Sequence, residues 1–186
     1  MAELLEFELV FALPSGIHDP FMLSDTVFEA GFEDAVIGSG DRRLLAVQIE
    51  AAGEDPERVI LDAARAILAG LPAGTRIREV RPDLVSLADV AEKLDVKRQA
   101  LQQREMPPPV AGGLYRIDEM LEVLTRALEP QAGRRRPRFD LEAARKWFVA
   151  GRAARRINAR LTTRELDPVT LETVPGSAGD GRRKVG

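Results

Sequence analysis

The chain has 186 residues, of which 45% are hydrophobic, so we expect a globular protein of one domain or two small ones. It contains no cysteine and a single histidine, which excludes disulfide bonds, thiolate catalysis and zinc–thiolate sites. No apolar run is long enough to span a membrane, and acidic residues stand where a signal peptide would be basic. These features predict a soluble cytoplasmic protein.

Charge is distributed unevenly along the chain. Residues 1–83 hold 7 Lys or Arg against 16 Asp or Glu, whereas residues 130–161 hold 10 against 2. A basic rear segment is typical of a protein with a polyanionic partner, although a solvated basic helix gives the same pattern.

Residues 1–82 predict the element order β-α-β-β-α-β. A short Phe- and Val-rich strand comes first, and the Asp-Pro pairs at Asp19 and Asp55 each mark a helix start. The first helix has Phe21, Val27 and Phe28 on one apolar face, and a Gly-Ser-Gly turn at 38–40 joins two strands. This order is the split pattern of ferredoxin-like folds. We therefore predict an α+β protein whose ferredoxin-like domain senses a ligand or mediates dimerisation.

Residues 86–124 have the pattern of a helix, a tight turn and a second helix. Ser86 begins the first helix, and Asp95 lies at the position where the turn needs a residue in the left-handed backbone conformation. The second helix is predicted at about 97–105, with Ala100 and Leu101 facing inward. A small wing strand at 114–116 and a third helix at 118–128 follow three consecutive prolines.

The segments "LADVAEKLDVKRQAL", "PPPV" and "LYRIDEMLEVL" resemble the winged helix-turn-helix of the MerR and excisionase superfamily, at residues 84–128. The resemblance implies that the second helix enters the DNA major groove and that the wing touches phosphates. Side chains of the types that reach bases and phosphates are present there, and an Arg-rich linker follows. The predicted DNA-binding residues are Lys97, Arg98, Gln99, Gln102, Gln103, Arg104, Tyr115 and Arg116, with Arg134, Arg135, Arg136 and Arg138 in the linker.

A protein-binding alternative stays open for the same unit. Asp95 and Glu105 flank the second helix and would repel phosphates, and residues 84–129 carry a net charge of −2. On this interpretation the helix-turn-helix is a scaffold for protein contacts.

The rear of the chain divides into three segments. Residues 129–138 form the Arg-rich linker, 139–161 a basic amphipathic helix that begins at Asp140, and 162–186 a largely irregular tail with a disordered last ten residues. Trp147, Phe148 and Ile157 belong to an apolar stripe on that helix. An apolar stripe usually docks on another surface, so we predict that they form an interface with a partner.

No constellation of catalytic or metal-binding residues is recognisable. His18 has no second histidine or cysteine beside it, and no two carboxylates are placed together for acid–base work. We therefore expect no enzymatic activity, no metal and no cofactor. The leading hypothesis is a DNA-binding bacterial transcriptional regulator or accessory factor, with DNA as partner. A homodimer or a protein partner would be held through the C-terminal helix, and no membrane is involved. The alternative is a non-enzymatic adaptor or antitoxin-like subunit.

Overall fold

The computed structural model describes residues 2–129 and 137–175. In these ranges the protein is α+β, with six strands and six helices. The strands are β1 (Glu3–Ala12), β2 (Val36–Gly38), β3 (Leu44–Gly53), β4 (Arg76–Arg81), β5 (Leu84–Ser86) and β6 (Leu114–Arg116). The helices are α1 (Pro20–Glu29), α2 (Pro56–Leu68), α3 (Leu87–Lys93), α4 (Arg98–Gln102), α5 (Ile117–Leu128) and α6 (Arg145–Thr162).

The first four strands form one antiparallel sheet in the order β2-β3-β1-β4. The central strand β1 places Phe7 opposite Ile49 and Leu9 opposite Val47. Alternate side chains point to opposite faces of a strand, so these apolar residues share one face and Glu6 and Glu8 lie on the other. The apolar face is buried beneath helices, while the second face carries most of the polar side chains of the sheet.

The two predicted Asp-Pro helix starts are confirmed. Asp19 accepts a hydrogen bond from the backbone N–H of Phe21, at 2.9 Å, and begins α1. Asp55 accepts bonds from the N–H groups of Glu57 and Arg58 and begins α2. In each case the carboxylate satisfies a backbone donor that has no partner within the helix.

The predicted buried face of α1 is wrong in part. Leu23 and Val27 face the sheet, with 5% and 0% of their surfaces exposed, whereas Phe21 is 81% exposed. Phe21 precedes Leu23 by two residues, which places it about 200° around the helix and away from the sheet.

Helix α6 begins later than predicted and completes the first core. Asp140 accepts a bond from the N–H of Glu142, but residues 141–144 form a turn and the helix starts at Arg145. Ala150, Ala153, Ala154 and Ile157 are buried in the same cluster as the apolar face of the sheet. Separating residues 1–82 from the rest of the chain would therefore expose core side chains that α6 now covers.

The second core lies in residues 84–128, the predicted helix-turn-helix unit, and also receives side chains from α6. The strands β5 and β6 pair antiparallel, with Val85 opposite Tyr115. The buried cluster contains residues of β5, α3, α4 and α5, together with Trp147 and Phe148 of α6. One helix therefore supplies side chains to both cores.

The tail is irregular, as predicted, but part of it packs tightly. Among residues 163–175 there is no helix or paired strand beyond a single bridge between Leu166 and Thr173. Leu166 and Leu171 are each 1% exposed, and Ile77 N–H donates to the carbonyl of Pro168 at 2.8 Å. The predicted disorder of the last ten residues lies outside the described residues. No helix in the described parts of the chain has the length and apolar character to cross a membrane.

Candidate nucleic-acid interface

The first helix and the turn of the candidate site form as the sequence predicts. Ser86 and Asp89 make a reciprocal capping box at the start of α3. Asp95 has a φ of +50°, the left-handed conformation that Asp tolerates better than branched residues do. Val96 then donates its N–H to the carbonyl of Ala91 at 2.9 Å, which closes the turn.

Helix α4 presents a polar surface but is shorter than expected. It has five residues, because the chain turns at Gln103 and runs towards prolines that cannot continue a helix. Leu101 is fully buried and anchors it, whereas Ala100 is exposed and not inward as predicted. The exposed side chains are Lys97, Arg98, Gln99, Gln102 and Gln103, the predicted DNA-reading set.

The predicted wing strand, β6, pairs antiparallel with β5, and α3 and α4 lie between the two strands in the chain. Gly112 and Gly113 have φ values of +49° and +80°, a backbone that residues with a Cβ rarely adopt, and they lead into β6. Tyr115 and Arg116 are half-buried on this strand, and Arg116 lies 3.9 Å from Glu119 as an ion pair. Sequence reasoning did not include the two glycines in the site, although consecutive glycines before a short strand were the available signal.

A groove of about 440 Å³ separates α4 from the wing, and we call it the wing groove. Its lining includes two guanidinium groups and no carboxylate. The lining residues are Ser86, Leu87, Ala88, Arg98, Gln102, Arg104, Met106, Gly112, Gly113, Leu114 and Tyr115. The groove therefore favours an anion electrostatically.

Arg104 lies deeper than the other predicted DNA contacts. Its guanidinium carbon is 5.7 Å from the centre of the Phe139 ring, and the residue is half-buried. Its Nε is buried and has no hydrogen-bond acceptor among the described residues. Arg104 thus contributes positive charge from a partly buried position in the groove, while Arg98 is exposed at the surface.

Five cationic side chains of α6 pair with carboxylates of the same chain. Arg145 pairs with Glu3 at 2.7 Å, Lys146 pairs with Glu50, and Arg156 pairs with Glu57 at 3.2 Å. Arg155 and Arg160 also have carboxylate partners, Asp118 and Glu57. The uneven charge of the sequence therefore reflects attraction between the front and the rear, and much of α6 is not available to a polyanion.

The linker adds only one described residue to the site. Arg138 is exposed, while Arg134, Arg135 and Arg136 lie outside the described residues.

The predicted partner interface on α6 is wrong. Trp147, Phe148 and Ile157 are 7%, 1% and 0% exposed, because they pack within the two cores of the same chain. Trp147 and Phe148 meet edge to face, with ring centres 5.1 Å apart. The apolar stripe does dock on another surface, but that surface belongs to this chain.

No group of three or more histidine, cysteine or acidic residues suited to a metal ion occurs in residues 2–129 and 137–175. Comparisons with known protein families, with characterised proteins and with solved structures find no match to this chain.

Proposed function

We propose that the chain is a DNA-binding protein, a bacterial transcriptional regulator or accessory factor, that uses residues 84–128 as a winged helix-turn-helix. The observation that carries this proposal is the wing groove, where Arg98 and Arg104 stand without a carboxylate beside the exposed polar surface of α4. In such modules the start of the second helix contacts base edges, and flanking cations contact phosphates. Arg98 and Gln99 occupy that start.

We infer further that the first unit is ferredoxin-like. The strand order β4-β1-β3-β2, with one helix after β1 and another after β3, supports this assignment. In the proposal this unit senses a ligand or mediates dimerisation. If two copies associate with two-fold symmetry, their recognition helices would read half-sites about 34 Å apart.

A selection of genomic fragments bound by the full chain tests the proposal, followed by titration of an enriched fragment. Arg98→Ala and Gln99→Ala should each cost about 1–3 kcal/mol on that fragment and much less on random DNA. Lys97→Ala should weaken both kinds of DNA and reduce the dependence of log K on log salt by about one.

Arg42→Ala is the matched control, because Arg42 is an exposed arginine of the front unit, outside the wing groove. It should leave the affinity for both kinds of DNA unchanged. An absence of enriched fragments, or equal affinities of parent and the Arg98 and Gln99 variants, would contradict the proposal.

A protein adaptor is the second candidate, and one observation favours it. Ile17, Phe21 and Met22, near one another in the chain, are 101%, 81% and 65% exposed, and a contiguous exposed apolar patch would mark a protein contact. The adaptor role would then use α1 and not the buried stripe of α6. Phe21→Asp would abolish copurification of a protein partner under this candidate, and DNA binding would be absent.

A further inference from the structure

A second cavity, of about 600 Å³, lies between the sheet and the helix-turn-helix unit, and we call it the inter-unit cleft. One wall is the polar face and edge of the sheet, from β1, β3 and β4. The other wall comes from β5, α3 and Leu114 of the wing, and Trp147 contributes an aromatic surface. The charged and amide residues of the lining are Glu6, Glu8, Gln48, Glu79, Arg81, Asp83, Asp89, Glu92, Lys93 and Asn158.

The charge of this cleft is strongly negative. Its lining holds six carboxylates and two cationic side chains. Arg81 is paired with Glu8 and Glu79, and Lys93 is paired with Glu6. The remaining carboxylates, Asp83, Asp89 and Glu92, have no ion pair with a cation in the described parts of the chain.

Glu6 remains ionised at neutral pH although it is only 7% exposed. Burial by itself would raise the pKa of its carboxyl, but the hydrogen bond and charge of Lys93, together with the charge of Lys146, outweigh burial and lower it. The most buried carboxylate of the cleft therefore keeps its negative charge.

Asp83 of the cleft lining has one carboxylate oxygen without a hydrogen-bond donor among the described residues. Its Oδ2 accepts a hydrogen bond from Asn158 at 3.0 Å. Its Oδ1 is shielded from solvent and accepts no hydrogen bond from any described residue. A carboxylate oxygen without a donor is costly, and because Oδ1 is shielded from solvent, a cation in the cleft would lower that cost through the attraction of its charge and not through a hydrogen bond.

The apolar part of the lining restricts the kind of cation. The apolar lining residues are Val80, Val85, Leu84, Leu114 and Trp147, and of these Leu84 and Leu114 expose the most surface, 41% and 37%. A hydrated metal ion would gain nothing from these surfaces, and no group suited to a metal occurs among the described residues. A cation with an alkyl body would bury that body and place ammonium groups near carboxylates on both walls.

We propose that the inter-unit cleft is a binding site for a small organic dication, an alkyl chain with an ammonium group at each end. One ammonium group lies towards Asp83 and the sheet, and the other towards Glu92 on α3. Trp147 borders the alkyl chain. The site is separate from the wing groove, and neither its existence nor its test depends on DNA binding.

The test uses the full chain and its single tryptophan, Trp147, as the fluorescent reporter, with calorimetry as the second measurement. Hexamethylenediamine is the probe. Two controls have an alkyl chain of the same length: hexylamine carries one positive charge, and hexanediol carries none. Magnesium chloride, at the ionic strength of the diamine solution, is the control for a metal dication. The diamine should bind saturably at one site per chain, at least about fivefold more tightly than the monoamine. Hexanediol and magnesium should give no saturable change.

Paired variants locate the site. The double variant Asp83→Asn, Glu92→Gln should weaken diamine binding about tenfold, because it removes two unpaired charges with little change in shape. Glu105→Gln removes an exposed carboxylate of the same unit outside the cleft, and it should bind as the parent does. Equal responses to the diamine and to magnesium, no calorimetric binding, or parental affinity in the double variant would each overturn the proposal.

Discussion

The wing groove and the inter-unit cleft both border the paired strands β5 and β6 and share Leu114, yet they differ in charge and in origin. The groove is built by a local stretch of the chain, from Ser86 to Tyr115, and contains cations without carboxylates. The cleft draws on residues from Glu6 to Asn158 and contains six carboxylates. Helix α6 supports both sites, because its side chains belong to both cores and because Trp147 and Asn158 line the cleft. The contrast teaches that one support can hold two sites of opposite electrostatic preference.

The largest expected effect comes from removing the shared support. Phe148 is 1% exposed in the second core, so Phe148→Ala should lower the free energy of unfolding by about 3–5 kcal/mol. Denaturant unfolding followed by circular dichroism measures this change. Phe21→Ala, at an aromatic residue that is 81% exposed, is the matched control and should change stability by less than about 0.5 kcal/mol. Equal stabilities of the two variants would show that α6 does not support both units.

A second substitution should affect the cleft more than the groove. The Asn158 side chain accepts a hydrogen bond from Val80 N–H and donates to Val80 C=O, both at 2.8 Å, and also donates to Asp83. Asn158→Ala leaves these part-buried groups without partners, so it should destabilise the chain by about 2–3 kcal/mol.

The folded fraction of the Asn158→Ala variant should lose diamine binding and keep any DNA binding, since Asn158 lines only the cleft. The control is Thr162→Ala, which removes an exposed hydroxyl bonded to the carbonyl of Asn158. Its unfolding free energy should stay within about 0.5 kcal/mol of the parent. Parallel loss of both binding activities in Asn158→Ala would mean that the two sites are not separable.

The ion pair between Lys93 of α3 and Glu6 of the sheet makes the stability of the chain depend on pH. The pKa of Glu6 is below its ordinary value of 4.5 in the folded chain, despite burial, because of Lys93 and Lys146. A carboxyl with a lowered folded pKa adds stability above the unfolded value, and this stability is lost as pH falls through the folded value. Stability should therefore decline below about pH 4.5, in part through Glu6.

Glu6→Gln should remove part of that decline and cost about 1 kcal/mol at neutral pH. Unfolding curves at several pH values between neutral and acidic measure both effects. Glu33→Gln, at an exposed carboxylate of the same unit, should reproduce the parental curve. An acid profile of Glu6→Gln identical to that of the parent would show that the Lys93 link contributes nothing.

Local parts of this molecule could be predicted from the sequence, and long-range parts could not. The helix starts at Asp19 and Asp55, the left-handed turn at Asp95 and the exposed set on α4 depend on neighbouring residues, so short patterns specify them. The burial of Phe148 and the pairing of Arg145 with Glu3 join residues far apart in the chain. An apolar stripe indicates that a helix docks, but not on which surface.

The inter-unit cleft shows the same limit. Glu6 and Glu92 are 86 positions apart in the numbering and only the tertiary fold brings them into one lining. The sequence showed an excess of acidic residues at the front, and it could not show which of them would be left unpaired after α6 had docked.

The smallest expected effect concerns Asp95, a carboxylate outside the lining of the wing groove that adds negative charge in the turn before α4. Asp95→Asn keeps a residue that tolerates the left-handed backbone, so stability should stay within about 0.5 kcal/mol of the parent. It removes a charge that repels phosphates, and at about 1 kcal/mol per charge pair in water the DNA affinity should rise about fivefold.

Asp95→Gly separates backbone strain from charge. Glycine adopts a φ of +50° without steric cost, so this variant should match Asp95→Asn in DNA affinity, while any relief of strain appears only in the unfolding free energy. Glu122→Gln on α5 removes an exposed carboxylate that pairs with Arg126, away from the groove, and should leave DNA affinity unchanged. DNA titrations of each variant at two salt concentrations test whether the gain in affinity comes from charge, because salt screens a charge effect and must reduce it. If Asp95→Asn binds DNA as the parent does at low salt, the turn does not face DNA, and the adaptor candidate is favoured.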